Sequence, residues 1–234
     1  MGIIDSTNTE AKRRVASGFA DQWIVADQQT AGRGRQDHQW ISPKGNIYAT
    51  ALFREPGGLP VALRLPFASA LAVSDVVRAH APAADVRLKW PNDVRIARKK
   101  VSGILVETGG SGTDFWIAAG IGINVLALPE NVGQPATSLL ELGMRPDVSV
   151  EAALTTLRET FAARLAQARA GFGDIRQTWL ERAEALGEIV HIRAGDVEIH
   201  GVFEDLEPDG ALVLRLPDGS RRSIRAGEVE IRRS

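Results

Sequence analysis

The chain has 234 residues, 28 Lys and Arg against 29 Asp and Glu, and a hydrophobic share of 44%, enough for one sizeable domain, or one plus a small module, around a packed core. A net charge of −1 gives no general attraction to nucleic acid or anionic membrane, so any use of the basic residues is local. The absence of cysteine and four scattered histidines exclude disulfides, thiolate zinc sites, cysteine nucleophiles and a His-Glu-x-x-His metal helix.

Thr7 and Glu10, three apart at the head of an alanine-rich amphipathic stretch, predict a capping box and a helix from about Asn8 to Ser17, ended by Gly18. Trp23 to Ala26 and Ile47 to Phe53 are β-branched or aromatic runs that read as strands on either side of a long polar loop. Val61 to Ala79 has apolar residues at helical spacing. Val86 to Trp90 and Val101 to Val106 read as strands joined around a basic turn, and Phe115 to Val125 as a further apolar strand. Val150, Leu154, Leu157, Phe161 and Leu165 keep the period of a long helix, with a second helix expected over Ile175 to Ala185. From Gly187 onward the pattern changes to four or five short strands, broken at Pro208-Asp209-Gly210 and Asp218-Gly219, the chemistry of tight hairpins. The expected division is therefore 1–186 and a small β-barrel over 187–234, packed together because no low-complexity linker separates them.

Within this frame a few segments stand out. Gln28-Gln29-Thr30-Ala31-Gly32-Arg33-Gly34-Arg35 alternates glycine with arginine. It reads either as a loop that brings backbone amides and guanidinium groups against an anion, or as a solvated basic loop. It is neither a Walker A loop nor a dinucleotide fingerprint. Lys89-Trp90-Pro91-Asn92-Asp93 ends a strand with polar side chains. A turn with an Asx hydrogen bond is the plainer reading, and a place in a site at a strand end is the other. Arg98-Lys99-Lys100 suits a hairpin tip, yet Lys100 adjoins an apolar strand where a partly dry ammonium could act on a phosphate. Ser6, Thr7 and Asn8 suit a helix cap. Gly120 and Gly122 permit close approach by backbone or by a ring, and Trp40 is either core or a stacking plate.

Taken in order, Asp5-Ser6-Thr7-Asn8, the Gln29 to Arg35 loop, Lys89-Trp90-Pro91-Asn92-Asp93, Lys100-Val101-Ser102-Gly103-Ile104-Leu105-Val106-Glu107 and Gly120-Ile121-Gly122-Ile123-Asn124 resemble the biotin protein ligase family over essentially the whole chain. The resemblance implies an α+β fold, a mixed sheet with flanking helices like that of class II synthetases, followed by a small SH3-like barrel. It also implies a monofunctional form without the winged-helix repressor domain. Only Met1 to Ile4 precede Asp5, where the family has a longer lead strand, a departure that leaves either a short sheet edge or a native start that lies upstream.

The activity implied is ATP-dependent formation of biotinyl-5'-AMP, with Mg2+, and transfer of the biotinyl group to a lysine of the biotin carboxyl carrier domain of a carboxylase such as acetyl-CoA carboxylase. By the same resemblance, Lys100 is the main catalytic lysine and Arg35 retains the adenylate. Ser6, Thr7, Asn8, Gln29, Gly32, Arg33 and Gly103 fall at biotin positions, with Arg33 near the carboxylate. Arg33, Arg35, Trp40, Lys89, Asn92 and Asn124 fall on the nucleotide side. Asn92 and Asp93 shape the site, and no metal ligands are assigned.

No run long enough to cross a bilayer is expected, and Met1 to Glu10 lack the features of a signal peptide, which points to the cytoplasm. The partners expected are the carrier domain and, for assembly, a homodimer, with neither nucleic acid nor membrane. The rival readings are a lipoate-type acyl ligase, a biotin-binding protein without turnover, and a nucleic-acid-binding module.

Overall fold

The computed structural model describes residues 2–36, 38–129, 133–144, 149–194, 197–225 and 227–231. Its centre is a six-stranded sheet in the order β2-β4-β8-β7-β6-β5, every pairing antiparallel. The strands are β2 (Gln22–Ala26), β4 (Ile47–Arg54), β5 (Val86–Lys89), β6 (Asp93–Ile96), β7 (Lys99–Gly109) and β8 (Trp116–Ile123). A separate short parallel pair joins β1 (Ile3–Ile4) to β3 (Gln28–Gln29).

Side chains alternate across a strand, and this decides what covers each face. Ala49, Ala51, Ile104, Ala119 and Ile121 point to the larger core, filled by α2 (Gly58–His80) and α3 (Val150–Ala170). Leu52 and Ala118 point the other way, to Ala11 of α1 (Thr7–Ala16). That second face also carries Tyr48, Thr50, Gly103, Gly120 and Gly122 in register, and α1 covers only part of it.

Helix α2 has the length and hydropathy of a membrane span, contrary to the expectation that no such run exists, but 72% of its apolar window is buried inside the fold. Pro66, Arg64 and Asp75 interrupt it, and Asp75 takes ion pairs from Arg164 and Arg182, both at 2.7 Å. These are the marks of a core helix.

Three local expectations change. Thr7 is not the cap of α1: Ser6 holds that position with extended backbone, without a side-chain cap bond, while Glu10 pairs with Arg13 and Arg14. The second C-terminal helix, α4 (Gly173–Glu181), starts and ends earlier than its apolar pattern suggests. The basic turn lies between β6 and β7, where Ala97 and Arg98 take positive φ, and β6 itself was not foreseen.

Five strands, β9 (Ile189–Ala194), β10 (Val197–Leu206), β11 (Leu212–Arg215), β12 (Arg221–Ile224) and β13 (Glu228–Glu230), form the C-terminal antiparallel sheet in the order β12-β11-β10-β9-β13. The strand count and both hairpin turns match the sequence reading. This module packs on the larger domain through Trp179, whose ring lies 6.3 Å from Phe203 and 5.5 Å from Phe67.

Candidate active site

A cavity of about 530 Å³ opens on the part of the sheet that α1 leaves uncovered. Its floor is made by Gly103 and Gly122, directly opposite one another on β7 and β8. A methyl at Gly122 would lie 2.6 Å from the Trp40 ring and one at Gly103 3.0 Å from it. The two glycines are therefore what let the indole lie flat on the strands. Trp40 Nε1 is buried there with no hydrogen-bond partner among the described residues.

Lys100 reaches this floor because of a β-bulge. Asp93 pairs with Gly103 and Val94 with Ser102, but Arg95 then pairs with Lys100, so Val101 is the extra residue. A bulge shifts the side-chain alternation by one, and Lys100 comes to share a face with Gly103 and Asp93 instead of pointing into the core. Its Nζ lies 2.7 Å from Asp93 Oδ1, with side-chain exposures of 16% and 12%, and 5.4 Å from the Trp40 ring centroid. The backbone of Lys100 is fixed on its outer side by Pro135 and Thr137 at 2.8 and 3.0 Å.

The glycine-arginine segment forms a closed arch. Trp40 N–H donates to Gly32 O at 2.9 Å, Gly34 N–H to His38 O at 2.7 Å and His38 N–H to Arg35 O at 3.0 Å. A side chain on Gly32 would strike the Trp40 carbonyl, so Gly32 closes the base of the arch. It lies behind the cavity, in a shallow neighbouring pocket. Arg33 spans to Glu107 with both nitrogens at 3.1 Å, and Arg35 donates to Asn92 Oδ1 at 3.4 Å. Asn92 is held in turn by Ile104, through Nδ2 to its carbonyl at 2.7 Å.

At the other end, the Thr7 N–H and hydroxyl both donate to Gln29 Oε1, at 2.8 and 3.2 Å, and Gln29 Nε2 donates to Ser42 at 3.1 Å. This long-range pairing, rather than a capping box, is what the Thr7 hydroxyl serves. Asn8 is tied from three sides: Nδ2 donates to Leu105 O and Glu107 at 3.2 and 3.0 Å, and Oδ1 accepts from Thr50 at 2.7 Å. The bare backbone of Gly120 leaves the room this amide needs.

Of the residues singled out in the sequence, Ser6, Thr7, Asn8, Gln29, Arg33, Arg35, Trp40, Asn92, Lys100, Gly103 and Asn124 line this one cavity. Gly32 and Lys89 do not; Lys89 closes the β5–β6 hairpin opposite Asp93. Sequence reasoning missed the supporting roles of Glu107 and Asn46, whereas Asp93 was expected to shape the site. Glu107 gathers Lys12, Asn8 and Arg33, and Asp93 holds Lys100. Asn46 accepts the N–H groups of Val125, Leu126 and Ala127 at 2.8 to 3.2 Å and so fixes the turn that presents Asn124. Asn124 Oδ1 is itself buried without a partner.

Burial pushes the Glu107 carboxyl up, but hydrogen bonds from Lys12 and Asn8 and the Arg33 guanidinium outweigh it, leaving it below the ordinary glutamate range. The resulting cavity holds a neutral hydrogen-bonding end and a cationic end on a ring-sized floor. Such a site can orient a polar, uncharged head group and stabilise negative charge at its far side.

Residues 2–124 match the biotin/lipoate A/B protein ligase family, and residues 185–232 match the biotin protein ligase C-terminal domain. A biotin--[acetyl-CoA-carboxylase] ligase of Paracoccus denitrificans is 41% identical, over 96% of this chain and 96% of that protein. The bifunctional ligase/repressor BirA of Escherichia coli is 33% identical, over 99% of this chain and 73% of its own length. Among solved structures, a biotin protein ligase from Aquifex aeolicus in complex with biotin and ATP superposes with a TM-score of 0.82 at 30% identity, covering all of this chain and 97% of that one. The chain belongs to the biotin protein ligase group of the biotin/lipoate A/B protein ligase family.

Proposed function

We propose that the protein is an ATP-dependent biotin ligase, joining biotin to AMP and passing the biotinyl group to a lysine of a biotin carboxyl carrier domain. The observation that carries this reading is the Lys100 ammonium fixed by Asp93 on the cavity floor, with Arg33 and Arg35 on the same wall. Carboxylate attack on the α-phosphate concentrates negative charge, and positioned cations stabilise that charge without reorganising.

In this reading the ureido head group lies at the Ser6, Thr7 and Gln29 end, where the Thr7–Gln29 pairing pre-orients the amide. Asn8 supports that end indirectly, since Thr50, Leu105 and Glu107 occupy its amide. Arg33 faces the biotin carboxylate once it exchanges Glu107 for the ligand. Lys100 bridges carboxylate and α-phosphate, while Arg35 and the rest of the arch retain the adenylate and exclude water from it. Trp40 and Asn124 serve the nucleotide; Asn124 Oδ1 and Trp40 Nε1 are buried on that side without a partner among the described residues. Gly32 acts through the arch it closes.

No group of three or more carboxylates and histidines placed to hold a metal occurs among the described residues. Among the described residues Asp93 is the one carboxylate that lines the cavity, which fits a Mg2+ carried mainly by substrate phosphates. Bound there, the ion would neutralise phosphate charge. The balanced charge of the chain gives no general attraction to nucleic acid, and a cytoplasmic protein without a membrane partner fits the burial of α2.

The test is transfer of labelled biotin to a carrier domain with and without ATP and magnesium, with lipoate as competitor. ATP-dependent labelling of one carrier lysine, insensitive to lipoate, is expected. Labelling blocked by lipoate, or none from a folded protein, overturns the reading.

A further inference from the structure

The turn between β5 and β6 carries both Asn92, which meets Arg35, and Asp93, which holds Lys100. It is gripped from outside by the C-terminal module. Trp90, 4% exposed, donates its indole N–H to the Gly210 carbonyl at 3.0 Å, a buried bond between residues 120 apart in the chain. Gly210 ends the Pro208-Asp209-Gly210 turn between β10 and β11 and has φ +83°, and a Cβ there would lie 2.5 Å from the Phe67 ring. Only glycine brings that carbonyl so close to the indole without strain. Asp209 steadies the turn by accepting the Ala211 N–H at 3.1 Å.

The connector into the module holds the same hairpin. Leu88 N–H donates to Arg182 O and Glu184 N–H to Leu88 O, both at 2.8 Å, so the segment after α4 covers the edge of β5. Arg95 of β6 pairs with Glu184 at 3.1 Å with both side chains largely buried. Only Pro91 and Asn92 separate Trp90 from Asp93, which leaves little slack between the indole and the carboxylate that fixes Lys100.

We infer that Trp90 and Gly210 are positioning residues of the ligase site: the barrel turn fixes the indole, and through it the Asn92 and Asp93 side chains that set Arg35 and Lys100. The catalytic consequence rests on the function proposed above, whereas the coupling of Gly210 to Lys100 is a statement about geometry alone. Among the described residues no direct hydrogen bond joins the biotin end, built from α1 and β3, to this turn, so the effect falls first on the nucleotide side.

The test uses the full chain and Trp90→Phe, which removes the donor and keeps an aromatic ring. Modification of Lys100 by an amine-reactive ester, read by peptide mass spectrometry, is expected to rise severalfold, with exposed Lys44 unchanged as reference. The KM for ATP is expected to rise about fivefold, the scale of one buried neutral hydrogen bond, with the KM for biotin unmoved. Added to Asp93→Asn, Trp90→Phe is expected to have no further effect on Lys100 modification, since both act on one link.

A folded Trp90→Phe variant whose Lys100 reacts at the wild-type rate overturns the inference. Should that variant fail to fold, Gly210→Ala, whose methyl forces the turn off Phe67, is read by the same modification, and a wild-type rate there is equally fatal. Enhanced Lys100 reactivity in a protein whose wild type shows no ATP-dependent biotin transfer would uphold the coupling and overturn the ligase reading.

Discussion

The Lys100 ammonium stands 2.7 Å from the Asp93 carboxylate at the cavity wall, and a one-residue bulge at Val101 is what puts them on the same face. A substrate anion arriving there meets a cation already aimed, with its position set before binding. Lys100→Ala is expected to slow adenylate formation about 100-fold or more, the scale of one lost preorganised donor. Single-turnover pyrophosphate release measures this, with an unchanged melting temperature showing that the fold survives. Near-normal release would remove Lys100 from the proposed chemistry.

Arg33 and Arg35 lie two residues apart on the arch, Arg33 against the Glu107 carboxylate and Arg35 within reach of the Asn92 amide oxygen. Both line the cavity from the arch, which places Arg35 where a guanidinium can retain an adenylate. Arg35→Gly should therefore release biotinyl-AMP and label bystander lysines. Strict labelling of the carrier alone, in a mixture with an unrelated lysine-rich protein, would refute the closing role of the arch.

The Trp40 ring sits where a side chain on Gly122 would be, 2.6 Å from the added methyl. An indole is too stiff to step aside locally, so Gly122→Ala should push it off the floor. Tryptophan fluorescence is expected to change and the KM for ATP to rise about tenfold, roughly 1.4 kcal/mol, while the biotin KM stays near normal. An unchanged ATP KM with a shifted emission spectrum would detach Trp40 from the nucleotide side.

The long elements were legible in the sequence because apolar period reports them directly, whereas most of the cavity lining was legible only through the resemblance of the ordered motifs to the ligase family, since spacing alone left a cap, a turn and a solvated loop as readings at least as good. What was not legible had two causes. Strand β6 is only Asp93–Ile96, half of it charged, and its turn uses Ala97 and Arg98 at positive φ where glycine or asparagine would have signalled a hairpin. The other cause is distance along the chain. Thr7 looks like a cap until Gln29 claims its hydroxyl, and the partnership of Glu107 with Arg33 spans 74 residues. No local pattern encodes such pairs, so Glu107 stood in a recognised motif without a role.

Glu107 gives the last prediction, because its carboxyl is held below the ordinary range by the cations and the amide around it in spite of burial. An unfolded glutamate titrates near about 4.3. A folded value lowered from there adds stability that is fully present above the unfolded value and disappears as pH falls through the folded one. Glu107→Gln keeps an oxygen for one neighbour but loses the charge that draws in both Lys12 and Arg33. At pH 7 the variant should melt below wild type, by an amount on the scale of hydrogen bonds to charged groups, about 1.5–3 kcal/mol each. The two melting curves should converge only as pH falls through the lowered folded value, below the ordinary glutamate range, where wild type loses the same charge. The arch should loosen with it, so Glu107→Gln is also expected to expose Arg33 to arginine-specific modification at neutral pH. A constant gap between the two proteins from pH 7 to pH 3 would mean that the ionised carboxylate contributes no more than its shape.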